Sequence, residues 1–449
     1  PDATVAEYVG RIACSTCHVE QDQAWTGSHH DRAMQEPTEA TVLGDFDNTT
    51  FEQLGVVSTF FKRDSPFFVE TEGPTGALEA YEVAYTFGVE PLQQYLIEFP
   101  GGRYQALGIA WDSRPEAEGG QRWFHLYPDE RITPNDALHW TGREQNWNYQ
   151  CAECHSTNVR KNFDLPSKSY ATTGSEIDVS CEACHGPGSQ HVALAKRVAA
   201  DRESPPDSWA VALAVGEGGQ WVRAADQQTA QGTEARAAAD QVETCAHCHS
   251  RRSTIAEGRT AGTPFLDSDR PALMREGVYH PDGQILGEVY VYGSFIQSKM
   301  YRAGVTCTNC HDPHTLALRA PGNAVCSQCH APAVFDAPSH DYHPLQAAGP
   351  ACVDCHMPER TFMGVDPRRD HSLRIPRPDL TLVTGAPNAC TACHRAQPAI
   401  WAANAVAAWY GSPADSVPHF SRAFHAAWEG GANAGGMLER VVRDRSESG

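Results

Sequence analysis

Residues 42 to 130 carry short runs of β-branched and aromatic residues. They are Thr59–Phe61, Phe67–Thr71, Ala80–Thr86, Gln94–Phe99, Tyr104–Ala110 and Arg122–Tyr127. Glycine and proline punctuate them at Gly73–Pro74, Pro100–Gly102 and Gly119–Gly120. Such runs between turn signals predict a small antiparallel sheet, which we read as a scaffold. Helical periodicity and end signals predict helices over Glu20–Met34, Ser189–Arg202, Ala224–Val242, Ala399–Tyr410, Phe420–Trp428 and Gly435–Arg443. No apolar run is long enough to predict a membrane span.

Cysteine usage changes the picture of the rest. All 16 cysteines fall in C-x-x-C pairs followed at once by histidine. The pairs are Cys14/Cys17, Cys151/Cys154, Cys181/Cys184, Cys245/Cys248, Cys307/Cys310, Cys326/Cys329, Cys352/Cys355 and Cys390/Cys393, numbered here as motifs 1 to 8. The histidines that follow are His18, His155, His185, His249, His311, His330, His356 and His394. C-x-x-C-H is the attachment signature of haem c: two thiols add across the two porphyrin vinyls, and the histidine reaches the iron as proximal ligand. Zinc sites reuse C-x-x-C but do not require histidine after every second cysteine. No cysteine remains for a disulfide or a nucleophile. The expected cofactor is therefore haem c, eight per chain and covalent.

Composition then bounds the organisation. With 449 residues for eight motifs, porphyrins must supply much of the core. The 37 glycines and 30 prolines suit a loop-rich wrapping. The expected fold is mostly coil and α-helix around a chain of haems, with a small antiparallel β insertion. The expected division is a first haem segment at 1–41, a haem-free β insertion at 42–130, a seven-haem core at 131–398 and a short helical tail at 399–449. Net charge is −21 before haem propionates are counted, which argues against nucleic acid or anionic lipid as partner. Haem c is attached outside the cytoplasm. The chain opens PDATVAEY, so the expectation is an exported, mature form without an N-terminal lipid anchor.

The second axial ligands decide the chemistry. Thirteen histidines remain once the proximal eight are removed from 21, while methionine numbers only 6. His247 lies inside motif 4 and reads as solvent-facing. His419 and His425 lie in the tail and read as structural or as reaching a neighbouring subunit.

Several stretches resemble the octahaem branch of the multihaem cytochrome c superfamily, whose members include hydroxylamine oxidoreductase and octahaem nitrite and tetrathionate reductases. These are WTGSHHDRAM, LHWTGREQNWNYQCAECHSTN, CEACHGPGSQH, YHPDGQ, GSFIQSKMYRAGVTCTNCHDPH, and CVDCHMP with RRDHSLRIPRPDL. The resemblance implies His29, His30, His139, His191, His280, His314, His343 and His371 as distal ligands, with His340 competing against His343 and His29 against His30. The nitrite reductases commonly mark their catalytic haem with C-x-x-C-K, which is absent here. The reading is therefore an electron-transfer protein with bis-histidine haems and no catalytic residues. It also resembles secreted cytochrome nanowire subunits, which implies a homopolymer: an extracellular, head-to-tail filament passing electrons to other redox proteins or extracellular acceptors, without membrane insertion. The alternatives are a periplasmic octahaem shuttle and an octahaem oxidoreductase acting on nitrogen or sulfur compounds.

The motif count makes a direct prediction. Intact mass of the mature protein should exceed the 48.9 kDa polypeptide by eight haems. A fully matured protein carrying seven or fewer contradicts it.

Overall fold

The hairpin Thr49–Gln53 (β2) to Val56–Lys62 (β3) shows how the sheet is specified. Gln53 pairs with Val56, leaving the two-residue turn Leu54–Gly55. Both residues have positive φ, 46° and 85°. Their twist matches that of the strands they join. In β4 (Phe67–Glu72), Phe67, Val69 and Thr71 turn inward while Phe68, Glu70 and Glu72 lie nearer solvent. This period-two alternation sets the register against β3 and β5 (Leu78–Phe87). β6 (Leu92–Phe99), β7 (Arg103–Ala106), β8 (Ile109–Asp112) and β9 (Arg122–His125) follow.

The result is a nine-stranded antiparallel sheet ordered β2-β3-β4-β5-β6-β8-β9, with β7 pairing β6 and β1 (Met34–Gln35) pairing β5. Its core is aromatic: Phe46, Phe60, Phe67, Tyr95, Trp111, Trp123 and Trp140 pack with Val69, Val83, Ile97, Leu107 and Ile109. Phe60 stacks on Trp123 with ring centroids 3.5 Å apart, and Phe46 meets four of these rings edge-on. Each such side chain contributes about 1.5–3 kcal/mol by burial.

The computed structural model describes residues 5–201, 209–211, 221–232, 238–343, 350–411 and 419–443. Beyond the sheet most helices are one or two turns long, and many of them carry or flank a motif. Three helices, Ala399–Tyr410, Ser421–Trp428 and Ala434–Arg443, form the tail, and Pro378–Thr384 packs on the first two.

Three expectations change. The sheet is larger than expected, so coil and helix dominate only outside it. It also recruits Met34 and Gln35 from the first segment. The helix expected over Glu20–Met34 spans only Val19–Trp25: Gly27 at φ 80° turns the chain out, and Met34 is needed by β5. The helix expected over Ala224–Val242 is replaced at its start by the strand pair Trp221–Val222 and Gln231–Gly232. A helix appears only at Ala238–Ala246, and residues 233–237 lie outside the described chain.

The polar run before motif 2 latches that motif to the sheet. The buried Gln105 side chain of β7 donates to the Trp140 and Gly142 carbonyls at 2.9 and 2.8 Å. Asn146 donates to Gln105 and caps the helix Trp147–Gln150 through Tyr149 N–H. Asn148 accepts from Tyr104 N–H at 2.8 Å. Met34, Phe87, Leu96, Ala106, Trp147 and Ala152 close the same junction with apolar contact.

Because Phe60 is fully buried in a unit that contains no motif, Phe60→Ala should destabilise the sheet by about 3–5 kcal/mol. Urea denaturation followed by far-UV circular dichroism should show the loss while the native visible spectrum is unchanged. A shift below about 1 kcal/mol would mean that the site collapses onto the cavity.

Candidate haem-binding site

Each motif is built as one helical turn. The histidine N–H donates back to the carbonyl of the first cysteine, as in His18 to Cys14 at 3.0 Å, His249 to Cys245 at 2.8 Å and His311 to Cys307 at 2.9 Å. His330 to Cys326 and His394 to Cys390 repeat it, both at 2.9 Å. This bond brings both thiols and the imidazole to one side of the turn. All 16 thiols are free of disulfides.

The imidazoles are oriented by their Nδ1 atoms. His155 bonds the Ala33 carbonyl at 3.0 Å, His356 that of Arg374 at 2.8 Å, His191 that of Trp209 at 2.9 Å, His343 that of Asp341 at 2.7 Å and His371 that of Arg369 at 2.9 Å. Nδ1–H is thereby committed to the backbone and Nε2 is left to bind a metal. Burial pushes the imidazole pKa down at His155, His311, His330, His356, His371 and His280, and to about 4 at His30. The neutral ring is the ligating form.

The donor set fits haem in a second, independent way. Two imidazoles bound on opposite faces of one iron, each at about 2 Å, bring their ring centroids to roughly 6 Å. Five proximal histidines face another histidine at that spacing. They are His18 with His191 at 5.9 Å, His249 with His30 at 6.2 Å, His185 with His314 at 6.4 Å, His356 with His340 at 6.0 Å and His394 with His343 at 6.2 Å. Four of the pairs are near-parallel, and His249 with His30 is tilted by 57°. His371 lies within electrostatic range of His311. His280 keeps a buried Nε2 with no hydrogen-bond partner, which is the state of an atom reserved for a metal.

The remaining expected distal residues sit elsewhere. His29 is half-exposed beside Glu90, 3.8 Å away. His139 is buried in the sheet region, with Nδ1 2.8 Å from Thr141 Oγ1 and Nε2 3.9 Å from a Glu72 carboxylate oxygen. His340 and His343 each face a different proximal histidine. Two histidines three apart, flanking one short turn between two motifs, were the available signal for this double use.

His247 corrects the sequence reading. It is 2% exposed, with Nδ1 2.9 Å from Asp269 Oδ2 and Nε2 3.0 Å from the Thr263 carbonyl. It belongs to a buried polar cluster. Arg252 donates to Asp269 at 2.6 Å and to Glu153 at 3.1 Å, and Lys161 lies 3.1 Å from Glu153. Glu153 and His247 are the inner residues of motifs 2 and 4, so the cluster ties these motifs together. In the tail, His419 stacks on Phe420 and accepts from Ser421 N–H at 3.2 Å.

Motifs that each form a haem-attachment turn, joined by facing imidazoles, define a multihaem c-type cytochrome. Three segments match known families: residues 13–49 match cytochrome c554 and c-prime, 134–263 match the N-terminal region of the NapC/NirT cytochrome c family, and 300–335 match the doubled CXXCH motif. No curated protein matches the chain by sequence. The solved crystal structure of outer cell wall cytochrome OcwA shares the fold, with a TM-score of 0.56 at 18% identity over 97% of this chain and 99% of that one.

The geometry reverses the standing of two histidines: the resemblance favours His139, whereas the ring that faces a proximal histidine is His340. His340→Ala should leave one iron with a single imidazole and produce a high-spin signal in near-infrared magnetic circular dichroism. His139→Ala should leave that spectrum unchanged. The opposite pattern would reverse the assignment of these two residues.

Proposed function

We propose that the chain carries electrons along eight covalently held c-type haems, one per motif, and that most irons are held by two histidines. The facing imidazole pairs carry this reading. An iron with two imidazoles has no free position for substrate, and each haem supplies a one-electron ferric/ferrous couple. On this reading the distal ligands are His191, His30, His314, His340 and His343 for motifs 1, 4, 3, 7 and 8. His371 serves motif 5, and His280 serves one further iron.

We read the protein as an extracellular unit that stacks head to tail into a filament. Three observations support it. Of the 16 cysteines only Cys17 and Cys393, in the first and last motifs, are exposed. Among the described residues no helix is long and apolar enough to cross a membrane. The fold is shared with a cytochrome named for the outer cell wall. A head-to-tail contact is heterologous, and a rotation that does not close gives a helical filament.

Electron microscopy of native material tests the assembly. Filaments whose haems run unbroken across subunit boundaries are expected. Discrete monomers at high concentration would leave a soluble shuttle. Rapid turnover of nitrite, hydroxylamine or tetrathionate would replace the carrier reading with an enzyme.

A further inference from the structure

A cavity of about 50 Å³ lies where Glu153 of motif 2, Glu182 of motif 3 and Cys248 of motif 4 approach one another, and Tyr8, Arg160 and Arg259 also line it. Its two carboxylates are already committed. Glu182 accepts from the N–H groups of Val9, Gly10 and Gly188 at 3.0, 2.8 and 2.7 Å. Glu153 takes Arg252 and Thr254 on one oxygen, each at 3.1 Å, and Lys161 on the other at 3.1 Å. Bonds of this kind and number compensate both negative charges within the protein.

The two guanidiniums are in the opposite state. That of Arg160 lies against the loop at Gly258, where a Cβ would stand 3.1 Å from Nη1, and among the described residues it makes no hydrogen bond or ion pair. Arg259 is engaged only at the limit of contact, with Nη2 3.4 Å from the Glu153 carbonyl and Nε 4.0 Å from Asp269 Oδ2. The Asp269 carboxylate already bonds Arg252, His247 and Ser268 at 2.6, 2.9 and 2.8 Å. A guanidinium carries a fixed fork of N–H donors that matches an oxyanion, and most donors of these two are unused within the protein. Two uncompensated cations lining one small cavity repel each other, and a bound anion relieves that repulsion.

We propose that this cavity binds a small oxyanion of the phosphate or sulfate class, gripped by Arg160 and Arg259 with the Tyr8 hydroxyl as a further donor. The volume takes about three to five water-sized atoms, which suits a tetrahedral oxyanion and excludes a nucleotide or peptide. Gly258 is part of the site: it holds φ at 85°, and its missing Cβ lets the Arg160 fork lie over the loop. A porphyrin propionate offers the same chemistry and is the rival occupant. Propionates leave the porphyrin on the side away from its thioether bonds, whereas motifs 2, 3 and 4 meet this cavity at their attachment turns. A free anion is therefore the better fit. Beside three attachment turns its charge favours ferric over ferrous iron, so oxidised protein binds it more tightly than reduced. This redox coupling rests on the electron-transfer reading; the site itself does not.

The test uses inorganic phosphate and the holoprotein in a buffer free of other oxyanions. The net charge of −21 disfavours nonspecific anion binding, so calorimetric titration should report one saturable site. Arg160→Gln and Arg259→Gln should each weaken binding by about tenfold or more, with haem content and visible spectrum unchanged. Gly258→Ala keeps both charges but crowds the Arg160 fork, and should weaken binding as well. Absence of saturable binding, or binding that survives all three replacements, overturns the site. A cryo-electron microscopy map with a porphyrin propionate between the two guanidiniums also overturns it. Electrochemical reduction should lower the wild-type affinity several-fold. Equal affinity in both states refutes the redox coupling and leaves the site standing. Rapid turnover of nitrite or hydroxylamine with phosphate binding intact refutes the carrier reading and not the site.

Discussion

Two imidazoles must face each other across roughly 6 Å if both are to bind one iron. That spacing organises most of this chain beyond the sheet. A motif can supply only one of the two rings, because its single turn presents both thiols and the histidine to one side. The second ring has to come from another segment. His18 takes its partner from the helix after motif 3, His185 from the loop after motif 5, and His249 from the segment after motif 1. Every pairing is therefore a long-range tie, and together the ties do the work that a continuous apolar core does in an ordinary domain.

The protein part of the structure serves this geometry in two ways. Backbone carbonyls hold Nδ1 of His155, His191, His343, His356 and His371, which leaves their Nε2 atoms to act as donors, and burial favours the neutral ring at His30, His155, His356 and His371. The inner residues of the C-x-x-C turns carry the second task. Glu153, Glu182, His247 and Thr308 are all partly or fully buried, and each bonds within the protein: Glu182 to the Val9 and Gly10 N–H groups ahead of motif 1, Thr308 to Gln241 in the helix leading into motif 4, and Glu153 and His247 to the shared cluster of Arg252 and Asp269. Positions that the attachment chemistry leaves free are thus where the spatial arrangement is written.

Sequence alone exposed the attachment chemistry because it is local: five residues suffice to define each turn. The strand runs between residues 59 and 127 were equally legible, since alternation and turn residues act over a few positions. Distal ligation was legible only in part. His30, His191, His314 and His343 face proximal histidines, His139 lies beside Thr141 and Glu72, and His340 faces a proximal histidine of its own rather than that of His343. Nothing within a few residues of a histidine records which ring it will oppose. The same limit hid His247, whose partners Asp269 and Thr263 lie about one hairpin away.

The ties also bear on how the protein can be made. His18 finds its opposing ring at His191, and the first turn is bonded through Val9 and Gly10 to Glu182. The N-terminal segment thus has no settled place until the chain past residue 191 has been delivered. Closing so long a loop is slow and costs entropy that local contacts do not return. On the proposed reading haem attachment precedes closure of this loop, and the nine-stranded sheet, with its own aromatic core, is the largest unit among the described residues that can fold on its own contacts beforehand. Biogenesis then proceeds from a rigid platform outward, and a delay in supplying haem would stall an extended thiol-rich chain rather than a folded apoprotein.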